Sequence, residues 1–108
     1  MTRRRILFIV AHPPKRGALP RELLDALLVG AVFEQHISVL FIDEGVYQLL
    51  DVRGYGALSA YEVDDVFADA ATLRRLDLDI KSLAVSAKAL ARARVRKLIA
   101  SQDVVISD

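Results

Sequence analysis

The run Ile6-Leu7-Phe8-Ile9-Val10 constrains the fold more than any other stretch of the chain. It is continuously apolar rather than alternating, so it reads as a strand covered on both faces, the mark of a parallel sheet. The next residues fit a crossover. Pro13, Pro14 and Gly17 break the chain, and Pro20 suits the first turn of a helix. Leu23, Leu24, Leu27, Leu28, Ala31 and Val32 then recur at helical spacing through about Gln35. Ile37 to Ile42 is a second apolar strand, ended by Asp43-Glu44-Gly45.

The rest of the chain continues the alternation. Val46 to Leu50 is ambiguous and is compatible with a short helix, and Asp51 to Gly56, with two glycines, reads as a loop. The spacing of Val63, Val66, Phe67, Ala70 and Leu73 predicts a helix from near Tyr61 to about Leu76. Ile80 to Val85 reads as a third strand, Ala87 to Ala100 as helix, and Val104 to Ile106 as a final short strand. Strands alternating with helices imply right-handed crossovers. The expected fold is α/β, a flavodoxin-like three-layer arrangement with a mostly parallel sheet of about four to five strands.

The chain has 108 residues, 54% of them hydrophobic, which fits one compact domain with its own core. A domain of this size buries roughly 60–70% of its unfolded surface. Apolar surface is therefore expected to remain for a partner. The formal net charge of +1 gives no global drive toward nucleic acid or membrane. There is no cysteine, so this chain can form neither disulfide, thiolate nor persulfide. Arg3-Arg4-Arg5 before a five-residue apolar run looks at first like a secretory leader, but His12-Pro13-Pro14 ends the run too early. The arginines are read as guards of an aggregation-prone strand.

In parallel sheets, ligands bind beyond the carboxyl ends of the strands. The first such loop offers His12, Lys15 and Arg16, a possible anion-binding set beside a helix start; the plainer reading is a solvated turn. It has neither the glycine pattern of a dinucleotide fingerprint nor a P-loop. Asp43 and Glu44 suit a hard cation by type, but no further acidic cluster joins them, and a solvated turn is expected. His12 and His36 fall at different ends of the sheet, which argues against a shared metal. Ser86 lacks a Gly-x-Ser-x-Gly elbow and is read as the N-cap of the last long helix. Lys81, Lys88, Arg92, Arg94, Arg96 and Lys97 form a basic stretch after an acidic one that runs from Glu62 to Asp79. It is either a solvated face or a contact for RNA or an acidic partner.

Glu22 to Gln35 followed by Ile37 to Leu50 resembles the DsrF/TusC branch of the DsrE/DsrF family. Its most specific part is Leu40-Phe41-Ile42-Asp43-Glu44-Gly45-Val46-Tyr47-Gln48-Leu49-Leu50. Asp79-Ile80 with Val85 to Leu90, and Lys97 to Ile106, look like the family's third strand and its closing elements. The resemblance implies one DsrE/DsrF-like domain over residues 1–108, cytoplasmic and without cofactor. It also implies a subunit of a heterohexamer with DsrE/TusD-like and DsrH/TusB-like chains. Such assemblies pass persulfide sulfur between cysteines, toward tRNA 2-thiouridine or in sulfur oxidation. The DsrE/TusD-type subunit carries its principal cysteine after the third strand, a position that corresponds here to Ser86, whose hydroxyl cannot form a persulfide. The implied role is a scaffold, with Val46, Tyr47, Leu49 and Leu50 facing the partner. Relatives have a further strand between the last two helices, for which Leu90 to Leu98 leaves no room, so the sheet is expected to be a strand short. Two other classes remain open: an enzyme using the His12 loop, and a stand-alone homo-oligomer binding a small anion or RNA through that loop or the basic C-terminal helix.

Overall fold

A computed structural model describes residues 3–14, 19–33, 35–63 and 65–108. The strands are β1 (Arg5–Val10), β2 (His36–Phe41), β3 (Asp65–Asp69), β4 (Lys88–Leu90) and β5 (Val104–Ser107). The helices are α1 (Leu19–Val32), α2 (Ala70–Arg75) and α3 (Arg92–Ala100), with 3-10 segments at Asp43–Leu50, Tyr55–Tyr61 and Ile80–Ser82. All strand pairs are parallel, in the order β4-β3-β2-β1-β5. This is the expected flavodoxin-like α/β architecture.

The continuous apolar character of β1 and β2 follows from their central places. In register, Phe8 pairs with Val39 and Val10 with Phe41. These four, with Leu23, Leu24 and Leu27 of α1, belong to the main core. Leu7 and Leu40 are just as buried but lie outside that cluster, on the other face. Each such side chain contributes about 1.5–3 kcal/mol by leaving water. β1 to β4 step in one direction across the sheet, and the last crossover returns from one edge to the other. The right-handed rule therefore puts α3 on the face opposite α1 and α2. α3 has no buried residue, and Ile99, Val105 and Ile106 around it are exposed.

Three expectations are corrected in the second half of the chain. The helix expected over 61–76 is a strand joined directly to a helix. Val66 and Ala68 point into the core in strand alternation before α2 takes over, and the two periods merge into spacing that mimics one helix. The strand expected at Ile80 to Val85 is a 3-10 turn. There the Asp79 carboxylate accepts from the Lys81 N–H at 3.0 Å and the Ser82 hydroxyl donates to the Asp79 carbonyl at 2.7 Å. The helix expected from Ala87 begins only at Arg92, because Lys88–Leu90 pairs with β3 as an edge strand. The sheet is thus not a strand short. Ser86 is exposed in the loop before β4 and caps nothing, since the residue preceding α3 is Ala91.

Candidate functional site at the carboxyl ends of the strands

At the end of β1 the chain meets Asp108, the residue after β5. Asp108 accepts from the Ala11 N–H at 2.9 Å and from the His12 N–H at 3.4 Å. Its Oδ1 lies 3.0 Å from His12 Nδ1, although that nitrogen is not aligned for a hydrogen bond. The two backbone donors that could hold an external anion are taken by an internal carboxylate. Lys15 and Arg16, the other members of the expected anion set, lie outside the described residues.

At the end of β2 the chain turns sharply. Asp43 adopts φ +48°, an uncommon region that aspartate tolerates better than most residues. Gly45 then packs directly on the Val10 carbonyl, where a Cβ would collide with backbone. The 3-10 segment it belongs to splits the expected partner surface. Val46 and Leu49 are fully buried in the chain's own core, so they are not available to a partner. Tyr47 and Leu50 are 37% and 43% exposed, and Val52 beyond them is exposed as well. Gln48 turns inward and donates from Nε2 to the His12 carbonyl at 3.2 Å, joining this segment to the first loop.

At the end of β3 stands a group that local sequence patterning did not single out. Asp69 is the N-cap of α2; its Oδ2 accepts from the Thr72 N–H at 3.2 Å and the Thr72 hydroxyl at 2.8 Å. The Thr72 oxygen in turn accepts from the Asp43 N–H at 3.1 Å, and Arg75 reaches Asp43 Oδ1 at 3.0 Å. The Asp-x-x-Thr spacing is a capping signal, but it was submerged in the expected longer helix. Asp43 is therefore tied to protein groups. Glu44 is exposed, and no group of three or more metal-ligating side chains is present among the described residues.

Elsewhere, His36 begins β2 and places Nε2 2.8 Å from Asp65 Oδ2, at the opposite end of the sheet from His12. A cleft of about 430 Å³ opens there, between Arg3, Gln35, Tyr61 and Glu62. Ser86 lines a second cleft of about 420 Å³, with Tyr55, Leu58, Val63 and Val66. Tyr55 is 1% exposed, packs edge-on against Phe41, and has no hydrogen-bond partner for its hydroxyl among the described residues. Burial pushes that hydroxyl above the ordinary tyrosine range, and the negative charge of Asp108 adds to the shift.

The sequence matches the DsrE/DsrF-like family over residues 4–107. It is 34% identical to Protein TusC of Shigella flexneri serotype 5b (strain 8401), over 95% of this chain and 98% of the relative, and equally to a second Shigella flexneri TusC. The chain belongs to the DsrE/DsrF-like family, in its DsrF/TusC branch. The DsrE/DsrF-like fold is matched by the crystal structure of the ychN protein from E. coli, with a TM-score of 0.84 at 12% identity, covering 97% of this chain and 99% of that one. Within this DsrE/DsrF-like chain the third strand is Asp65–Asp69, so the position after it is the Asp69–Ala70 junction, whereas Ser86 precedes the fourth strand. No helix among its described residues is long and apolar enough to cross a membrane.

Proposed function

We propose that the chain is a non-catalytic subunit of a DsrEFH/TusBCD-type sulfur-relay complex, a single-domain cytoplasmic scaffold for cysteine-bearing partners during persulfide transfer. The observation that carries this reading is the absence of any cysteine from a member of the DsrF/TusC branch. Sulfur needs a thiolate to attack and to ride on, and this polypeptide has none. The loop end of β3, where the family resemblance puts a partner's reactive cysteine, holds Asp69, whose carboxylate is already bound to Thr72. By strand order Asp69 is the residue at that strand end, whereas Ser86 lies before β4. Tyr47 and Leu50, exposed on the 3-10 segment beside that end of the sheet, supply aromatic and aliphatic anchors of the kind that centre protein interfaces.

Co-expression with DsrE/TusD-like and DsrH/TusB-like chains, followed by mass measurement of the purified assembly, tests the proposal. The expected product is a heterohexamer with two copies of each chain. A chain that never associates with thiol-bearing relatives sinks the reading, as does persulfide turnover by the chain alone. The sulfur's destination, tRNA 2-thiouridine or sulfur oxidation, is separated by whether sulfite-reductase-type genes neighbour this one.

One observation favours a second reading. Arg92, Arg94, Arg96 and Lys97 are all exposed on α3 and form no ion pair among the described residues. A stand-alone homo-oligomer could use this face for RNA phosphates. That reading expects self-association without relatives and RNA affinity that falls steeply with salt.

A further inference from the structure

Val29 and Phe33, at the end of α1, and Tyr61, the last residue of the 3-10 segment Tyr55–Tyr61, are 56%, 72% and 44% exposed. The Phe33 N–H donates to the Val29 carbonyl at 3.2 Å, so Val29 and Phe33 share one face of the helix end. With Leu28 the three line a small cleft of about 180 Å³. The elements that carry them have already buried their inner faces. Leu24 and Leu27 of α1 and Tyr55 and Leu58 of the 3-10 segment belong to the main core. The apolar patch is therefore surplus to the fold, and contiguous surplus of this kind marks an interaction surface.

Tyr61 also lines the cleft of about 430 Å³ beside His36 and Asp65, so the patch and that cleft are continuous. The charged and titratable groups described around the larger cleft are Arg3, His36, Tyr61, Glu62 and Asp65. Arg3 is engaged, its guanidinium donating to the Gln35 carbonyl at 3.3 Å. His36 Nε2 lies 2.8 Å from Asp65 Oδ2. Glu62 has neither an ion pair nor a side-chain hydrogen bond among the described residues. Its backbone is unusual as well. It ends the 3-10 segment at φ +59°, with its N–H donating to the Ser59 carbonyl at 3.1 Å. Glycine makes such a left-handed ending without steric cost. A glutamate there places beside the cleft a carboxylate that the fold does not use.

The unmet chemistry is a carboxylate next to exposed aromatic and aliphatic side chains. Its complement is a cation next to a large apolar side chain, and a cation at this place also gains from the face of an aromatic ring. We propose that this face docks a protein segment presenting a lysine or arginine beside a large apolar side chain. The cation pairs with Glu62 next to Tyr61, and the apolar side chain packs between Leu28, Val29, Phe33 and Tyr61. α3 carries arginines and the exposed Ile99, but it lies on the opposite face of the sheet from α1. A second copy docked through α3 would leave its own patch open to a third, a head-to-tail contact. The occupant is therefore a different protein. This surface is separate from Tyr47 and Leu50 and goes beyond the scaffold reading.

The chain has no tryptophan, so a tryptophan-bearing probe is read without background. The probe is an acetylated, amidated, alanine-rich helical peptide with an arginine and a tryptophan one helical turn apart. Its control has glutamine in place of the arginine. Tryptophan anisotropy is followed as the full chain is added. Wild type should bind the arginine peptide with a Kd below about 1 mM. The control should bind about fivefold more weakly. Glu62→Lys and Phe33→Ala should each weaken the arginine peptide about tenfold, and Tyr47→Ala should leave it unchanged. No binding by wild type overturns the proposal, as does equal affinity for the two peptides or unchanged affinity in Glu62→Lys. Weakening by Tyr47→Ala assigns the peptide to the other face and overturns it too. Self-association of the chain alone that Glu62→Lys abolishes gives the face to a second copy instead. If Phe33→Ala lowers the urea midpoint, Glu62→Lys decides alone. Failure to assemble with thiol-bearing relatives sinks the scaffold reading and leaves this surface standing, because the probe needs no relative.

Discussion

Tyr55 buries a hydroxyl for which the described structure offers no hydrogen-bond partner. Leaving such a group unpaired costs about 1–3 kcal/mol. Tyr55→Phe, which keeps the edge contact with Phe41, is therefore expected to raise stability by about 1 kcal/mol at pH 7 in urea denaturation. The raised folded-state value adds a pH signature. The folded chain holds the tyrosine proton more tightly than the unfolded chain, so Tyr55's contribution is complete below about pH 10 and is lost as pH rises through the folded value. The gap between Tyr55→Phe and wild type should widen between pH 7 and pH 11, and a constant gap refutes the assignment. Gly45 carries the second residue-scale prediction. Its place in an acidic turn is legible in the sequence, but the reason for glycine there is the Val10 carbonyl from another strand. Backbone cannot yield as a side chain can, so Gly45→Ala should cost about 3 kcal/mol, read as a lowered urea midpoint.

The 3-10 segment Asp43–Leu50 shows how an element divides its labour. Sequence alone marks Val46, Tyr47, Leu49 and Leu50 as one apolar group. The tight turn of the segment sends the first and third inward and the second and fourth outward. Leu49→Ala is expected to destabilise the isolated chain by about 2–5 kcal/mol through the cavity it leaves. Tyr47→Ala should stay within about 0.5 kcal/mol of wild type in the same measurement. If the partner docks here, Tyr47→Ala should instead weaken that association at least tenfold, by more than about 1 kcal/mol. Equal stability loss in both variants argues against the division. β1, α1 and β2 were readable because a buried parallel strand and an amphipathic helix each carry one clean period. β3 and α2 were not, because five strand residues run into six helical ones with no breaker between them. β4 was missed for another reason: three edge residues, Lys88 to Leu90, with no buried member carry no hydrophobic signature.

Across the whole molecule, β5 is held to β1 by strand pairing and by Asp108, which closes on Ala11 and His12 from 97 and 96 residues away along the chain. Asp108→Ala would leave the two backbone donors short of a partner and is expected to cost about 1–3 kcal/mol. Amide exchange at Val104 to Ser107 should quicken more than exchange in β2, because an edge strand opens below the global unfolding free energy. Uniform change across all strands rules out a local latch. By itself, the sequence determined that the fold is a parallel α/β sheet, that its central strands are covered on both faces, and that this chain has no cysteine thiol. Those properties reside in composition and in local period. Only the tertiary structure decided which residues meet at the carboxyl ends of the strands: Asp108 with His12, Asp69 with Thr72 and Asp43, and Gly45 with Val10. Strand order and register bring distant side chains together, and neither is encoded in the period of any single segment.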